Sequence, residues 1–271
     1  MALEPAEELS ANVPPAQKGS RGLLGGLGFL GLLLFKFWGV VLLALAKLKF
    51  LLVIFKFKTL LSMLLMIWFE TLRFGPAFGV GFVLLMLVHE MGHYGMAKKL
   101  GLDVSSPVFI PFLGALIAMK EAPENVEVEA KVAIAGPIIG SLGALACLGI
   151  YLISGERLFL SLTYMGLFLN LFNLLPVRPL DGGRVVGALS PLFWLIGLGM
   201  LLAMVFIVPS PILWIILILG ALEFWRWHKS DDKRYFEVPL PRRLAYAAGY
   251  FGLCAALAGG IAVIYPMLHG A

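Results

Sequence analysis

The sequence predicts an all-α polytopic membrane protein, with six or more transmembrane helices and one short re-entrant or β-like segment. Three observations carry that prediction. Of its 271 residues 61% are hydrophobic and 14% charged, and the mean hydropathy is +0.95, values outside the range of soluble domains. Apolar runs of roughly 18 to 24 residues recur from Gly22 to the C-terminus, and a bilayer core of about 30 Å takes about 20 helical residues to cross. The net charge of +5 sits in lysines and arginines at the ends of those runs rather than in one basic tract. That distribution describes membrane topology and excludes a nucleic-acid partner.

Taken in order, residues 1–21 carry early glutamates and prolines, without the basic start and cleavage site of a signal peptide, and are expected to be a disordered tail. Residues 22–74 form an N-terminal membrane region interrupted by Lys36, Lys47, Lys49, Lys56 and Lys58. At 100° per residue Lys36, Lys47 and Lys58 share a face that Lys49 and Lys56 oppose, which spoils a simple surface-lying helix. Crossing parity holds if Thr59 to Phe74 spans; Gly22 to Ala46 then spans or lies in the interface. Residues 75–190 form the core and residues 191–271 the C-terminal helices. The expected spans are Pro76 to Lys99, Ala130 to Ser154, Leu158 to Pro176, Pro191 to Pro209, Ile212 to Trp227, and Leu244 to about Met267. Lys98 with Lys99, Arg178 with Arg184, and the stretch Arg226 to Arg243 then fall on one side, so the basic loops are expected to be cytoplasmic. Cys147 and Cys254 lie in apolar small-residue runs, which excludes a disulfide framework. No loop is long enough for a separate soluble domain.

The span ending at Lys99 contains H-E-M-G-H, and the i, i+4 spacing puts His89 and His93 on one helix face, as a shared metal requires. Glu90 sits beside that metal, where it can take a proton from the water the metal activates, as in H-E-x-x-H hydrolases. Three ionisable groups within five residues of a span are costly without a task. His89 lies about 20 Å from Pro76 and about 14 Å from Lys98 at 1.5 Å per residue, inside the bilayer and nearer the cytoplasmic side. A catalytic metal wants a third protein ligand. His228 and His269 are in a loop and at the C-terminus, whereas Asp181, two crossings after His93, returns to the same half. The alternative for Asp181 is a turn residue, since D-G-G is also good turn chemistry.

H-E-M-G-H within a span, then A-G-P, then N-x-x-P-x-x-P-L-D-G-G, resembles the site-2 protease family of intramembrane metalloproteases over about Gly75 to Arg184. The resemblance implies one zinc ion held by His89, His93 and Asp181, with Glu90 as general base. It implies that Asn173 orients substrate or stabilises an oxyanion; the alternative is a polar residue bonding between helices. Gly136 and Pro137 match the family's G-P element near the cleft, or else form a packing kink. Ser106 to Lys120, too broken for a span, resembles the family's re-entrant strand, with Phe112 and Gly114 expected to contact substrate by β-addition; the alternative is a plain interfacial loop. The substrates implied are single-pass membrane proteins cut within the bilayer of a bacterial plasma membrane or a plastid membrane. Two other readings are a catalytically silent membrane-protein binder or chaperone of the same fold, and a metal transporter. Zinc follows from the family and the ligand types, which alone would also suit other divalent ions.

Overall fold

The computed structural model describes residues 58–111, 114–208, 210–231 and 233–270. The expected layout of residues 1–57 lies outside them, as does Phe112. The described chain is helical apart from one hairpin. α1 (Lys58–Phe74) and α2 (Pro76–Lys99) form an antiparallel pair. Their one-residue turn is Gly75, at φ 87, and Pro76 supplies the fixed φ that suits a first helical position. Gly79 lets the two helices close, because a Cβ there would stand 2.8 Å from the Thr71 backbone nitrogen.

β1 (Val108–Ile110) and β2 (Gly114–Leu116) pair antiparallel in the register Val108↔Leu116, Phe109↔Ala115, Ile110↔Gly114. The segment expected to be β-like therefore contains a true hairpin, extended by an isolated bridge between Val104 and Met119. It is pinned to α1. The Thr59 hydroxyl donates to the Pro107 carbonyl at 2.7 Å, the Phe109 amide donates to Ser62 Oγ at 3.1 Å, and the Phe109 ring is buried beside Met66 and Phe82.

α3 (Val126–Ser154) starts at Asn125, whose side chain accepts from the Val128 amide at 3.0 Å, with Glu127 and Glu129 in the first turn. This is a regular cap with acids where the helix dipole favours them. α3 continues through Pro137 and ends at Gly155 in the left-handed region. α4 (Arg157–Asn173) returns, and a loop leads to the short α5 (Asp181–Gly187). α6 (Phe193–Ile207), α7 (Pro211–Lys229), a 3-10 turn at Arg234–Phe236 and α8 (Leu240–His269) complete the described chain.

Six of these helices overlap the six segments expected to span. Four of them, α2, α3, α7 and α8, are long and apolar enough to cross a membrane; α6 is a shorter apolar helix. Many large side chains face outward, Ile153 at 90% exposure and Phe206 at 78% among them. Only a lipid environment makes so large an apolar exterior stable. The chain is an integral membrane protein.

Two ends can be told apart. At one, the first turn of α3 gathers the loops: Glu129 pairs with Arg178, accepts from the Tyr235 hydroxyl at 2.9 Å and lies 4.0 Å from Arg184, while Glu127 pairs with Arg242 at 3.1 Å. Burial first, and then the Glu129 carboxylate, hold the Tyr235 phenol above its ordinary pKa, so it remains a donor. At the other, Arg157 donates to the Leu268 carbonyl at 2.8 Å, closing α4 onto α8. Cys147 and Cys254 are both free thiols.

Candidate metal centre and its cavities

The centre is built where α2, α3, α4 and the start of α5 meet. Small residues allow the approach: a Cβ at Gly92 would overlap the Ala135 carbonyl, one at Gly136 the His93 imidazole, and one at Gly140 the Asn170 amide. α3 is thereby close enough to act as the wall behind the α2 histidines.

Each histidine is held by its Nδ1. His93 Nδ1 lies 2.8 Å from the Val132 carbonyl, which can only accept, so this nitrogen carries the proton. His89 Nδ1 lies 2.8 Å from Asn170 Oδ1. The Asn170 amide nitrogen donates to the Gly166 carbonyl at 2.7 Å, which fixes the amide with its oxygen toward His89. His89 Nδ1 is therefore the protonated nitrogen as well. Both Nε2 atoms then present lone pairs to the same point.

The two Nε2 atoms are 3.0 Å apart, and Asp181 Oδ2 stands 3.2 Å from that of His89 and 3.1 Å from that of His93. Two neutral imidazole lone pairs and a carboxylate oxygen cannot hydrogen-bond one another without a proton among them. A cation satisfies all three. Tetrahedral zinc with ligands at about 2.0–2.1 Å sets neighbouring ligand atoms about 3.3 Å apart, close to these separations. His89, His93 and Asp181 thus fit a divalent metal of zinc type, with each imidazole held from behind by Asn170 or the Val132 carbonyl.

Asp181 arrives through a loop that leaves no room for side chains. A Cβ at Gly182 would overlap the Leu174 and Leu175 carbonyls, and one at Gly183 the Val177–Arg178 backbone. The glycines after Asp181 therefore serve close backbone packing, more than the turn chemistry that offers the alternative reading of D-G-G. Trp194 Nε1 donates to the Gly183 carbonyl at 2.7 Å, and the Arg178–Glu129 pair ties the same loop to α3.

Glu90 is buried and lines two cavities that meet at His89. The larger, about 770 Å³, runs toward the α1–α2 turn; the second, about 500 Å³, runs past Ala97 and Met119 toward Arg184. Asn173, Leu180 and Ala115 border both. Gly114 borders the larger. Gly136 and Pro137 border neither, but Gly136 packs against the Nε2 end of the His93 ring. The sequence reading missed Asn170. It lies one helical turn before Asn173, and an amide in mid-span should have marked it too. His228 and His269 are exposed and remote from the centre, stacked on Phe224 and Tyr265.

Fold and site together define a class: a helical membrane protein whose interior carries a two-histidine, one-carboxylate group. Residues 77–157 match the model of Peptidase family M50. The chain is 33% identical over 116 residues to "Zinc metalloprotease MJ0392" of Methanocaldococcus jannaschii, covering 40% of this chain and 33% of that protein. It is 29% identical over 106 residues to "Stage IV sporulation protein FB" of Bacillus subtilis, covering 38% of this chain and 37% of that protein. It therefore spans about a third of the length of these curated relatives. The solved structure titled "Site-2 Protease from Methanocaldococcus jannaschii" aligns at 22% identity and TM-score 0.42, over 65% of this chain and 87% of that one. The resemblance to membrane zinc metalloproteases drawn from the motifs is thus upheld across α2 and α3. The family match ends before Asn173 and Asp181, so their place beside His89 and His93 rests on geometry.

Proposed function

We propose that the chain is a zinc-dependent intramembrane peptidase of the site-2 type, hydrolysing peptide bonds within the transmembrane segments of single-pass membrane proteins. The observation that carries this reading is the convergence of the two Nε2 atoms and the Asp181 carboxylate beside Glu90, where two cavities join. His89, His93 and Asp181 are its metal ligands. When bound, the ion supplies a Lewis acid that acidifies water and polarises a carbonyl.

The residues do the rest. Glu90 accepts a proton from the attacking water and returns it to the leaving nitrogen. Asn173, at the shared rim of the cavities, donates its amide hydrogens to the oxyanion that develops on the carbonyl oxygen. The exposed edge of the β1–β2 hairpin, with Gly114 facing the larger cavity, gives unwound substrate backbone the partners lipid cannot. The core comprises residues 75–190 and the C-terminal helices residues 191–271, with six or more spans in all. The end bearing Arg178, Arg184 and Arg242 is cytoplasmic, which puts the centre in the cytoplasmic half of a bacterial plasma membrane or a plastid membrane.

The test is cleavage of fluorescent single-pass substrates in proteoliposomes by the wild type, by Glu90→Gln, and by the wild type with a zinc chelator. Cutting is expected from the untreated wild type alone, with a loss of about 10²–10⁴-fold in Glu90→Gln while zinc stays bound. Substrates carrying Gly or Pro near the cut should be hydrolysed faster than helix-stabilised ones, because an intact helix keeps its carbonyls in intrahelical bonds. A wild type that binds zinc and substrate without cutting would move the reading to a silent binder.

A further inference from the structure

The chemistry above leaves one buried carboxylate unused. Glu70, on α1, is 4% exposed and lines the larger cavity beside Met66, Phe82 and Met86, apolar side chains that cannot solvate it. Its one ion-pair partner among the described residues is Arg73, at 4.0 Å. Arg73 is half exposed, and its guanidinium also lies over the Phe69 and Phe74 rings. The pair is therefore loose, and the carboxylate keeps lone pairs facing a cavity that ends at His89, Glu90 and Asn173. A carboxylate held at such a place is costly unless something donates to it.

Building on the peptidase reading, we infer that Glu70 is a specificity-determining residue that binds a cationic side chain of the substrate, Lys or Arg, four to five residues from the scissile bond. The register follows from the helices. Gly79 packs directly on the Glu70–Thr71 backbone, where a Cβ would stand 3.2 Å from the Glu70 carbonyl carbon. From Gly79 to His89 is ten residues of unbroken α2, or about 15 Å. An extended substrate advances about 3.3 Å per residue, so between four and five residues separate a group at the metal centre from one level with Glu70. The substrate side concerned is the one directed toward the α1–α2 turn.

The experiment places a single lysine or leucine at each position from two to seven residues on either side of the cut. For the wild type, the lysine-to-leucine ratio of kcat/KM should peak at about tenfold, four to five residues away on one side only. In Glu70→Gln the ratio should fall toward one; in Glu70→Lys the preferred residue should become glutamate. A second arm needs no turnover: in Glu90→Gln, a membrane-permeant carbodiimide should couple the Glu70 carboxylate to the lysine at that same position, read by mass spectrometry. A peak that persists in Glu70→Gln, or coupling that is even along the substrate or absent, overturns the assignment. If no substrate is cut, the peptidase reading fails and the coupling arm still decides the role of Glu70.

Discussion

Replacing Asn170 by leucine would remove the acceptor of His89 Nδ1 while keeping a side chain branched at the same carbon. Asn170 is 1% exposed, so no water can take over the 2.8 Å bond. Two responses are open to His89. It can keep its tautomer and bury an unpaired N–H, at a cost of about 1–3 kcal/mol. Alternatively the proton moves to Nε2, which then cannot ligate. Either way zinc affinity should fall about 10- to 100-fold, the usual effect of losing a partner behind a ligating histidine. The assay is zinc competition against a calibrated chelator on purified protein, with thermal unfolding of the metal-free form as the control for folding. A folded Asn170→Leu whose zinc affinity equals that of the wild type would refute the claim that this amide orients His89.

Gly136→Ala should drive the His93 ring from its place and lower zinc occupancy at least tenfold, whereas Gly95→Ala, with nothing within 4 Å of the added methyl, should raise thermal stability by about 0.5–1 kcal/mol. Metal content by mass spectrometry and a melting curve on both variants test the contrast; equal behaviour would mean that α3 does not press on His93. Glu129→Ala strips the Arg178 guanidinium of its carboxylate in a setting where the Arg178 side chain is 19% exposed. The loss should be about 3–5 kcal/mol, with weakened zinc binding because Arg178 sits in the loop that delivers Asp181. Tyr235→Phe, which removes one hydrogen bond to the same carboxylate, should cost about 1.5–3 kcal/mol and leave zinc affinity nearly unchanged. Measured melting points in detergent decide the order; equal effects from Glu129→Ala and Tyr235→Phe would count against the Arg178 pair as the main tie.

What the sequence by itself determined is what local periodicity determines. The run from Pro76 to Lys99 is one helix because its apolar length, leading proline and closing lysines all act within the segment. The His89, Glu90, His93 spacing sets a ligating face because helical geometry is the same everywhere. Counting crossings could also bring Asp181 back to the right end, since parity does not depend on packing. Tertiary structure decided what depends on helix rotation and on contact. Asn170 and Asn173 are three residues apart, about 60° around the helix, yet only the packing of α4 against α2 puts the first on His89 and leaves the second on the cavities. Gly136 reads as a position near the cleft in one dimension, and in three its bare backbone leaves the space that the Nε2 end of His93 occupies. Glu70 lies in the expected Thr59 to Phe74 span, and only the packed chain shows its side chain buried at the wall of the larger cavity. Facing, unlike spacing, is a property of two surfaces at once, and only the packed chain contains both.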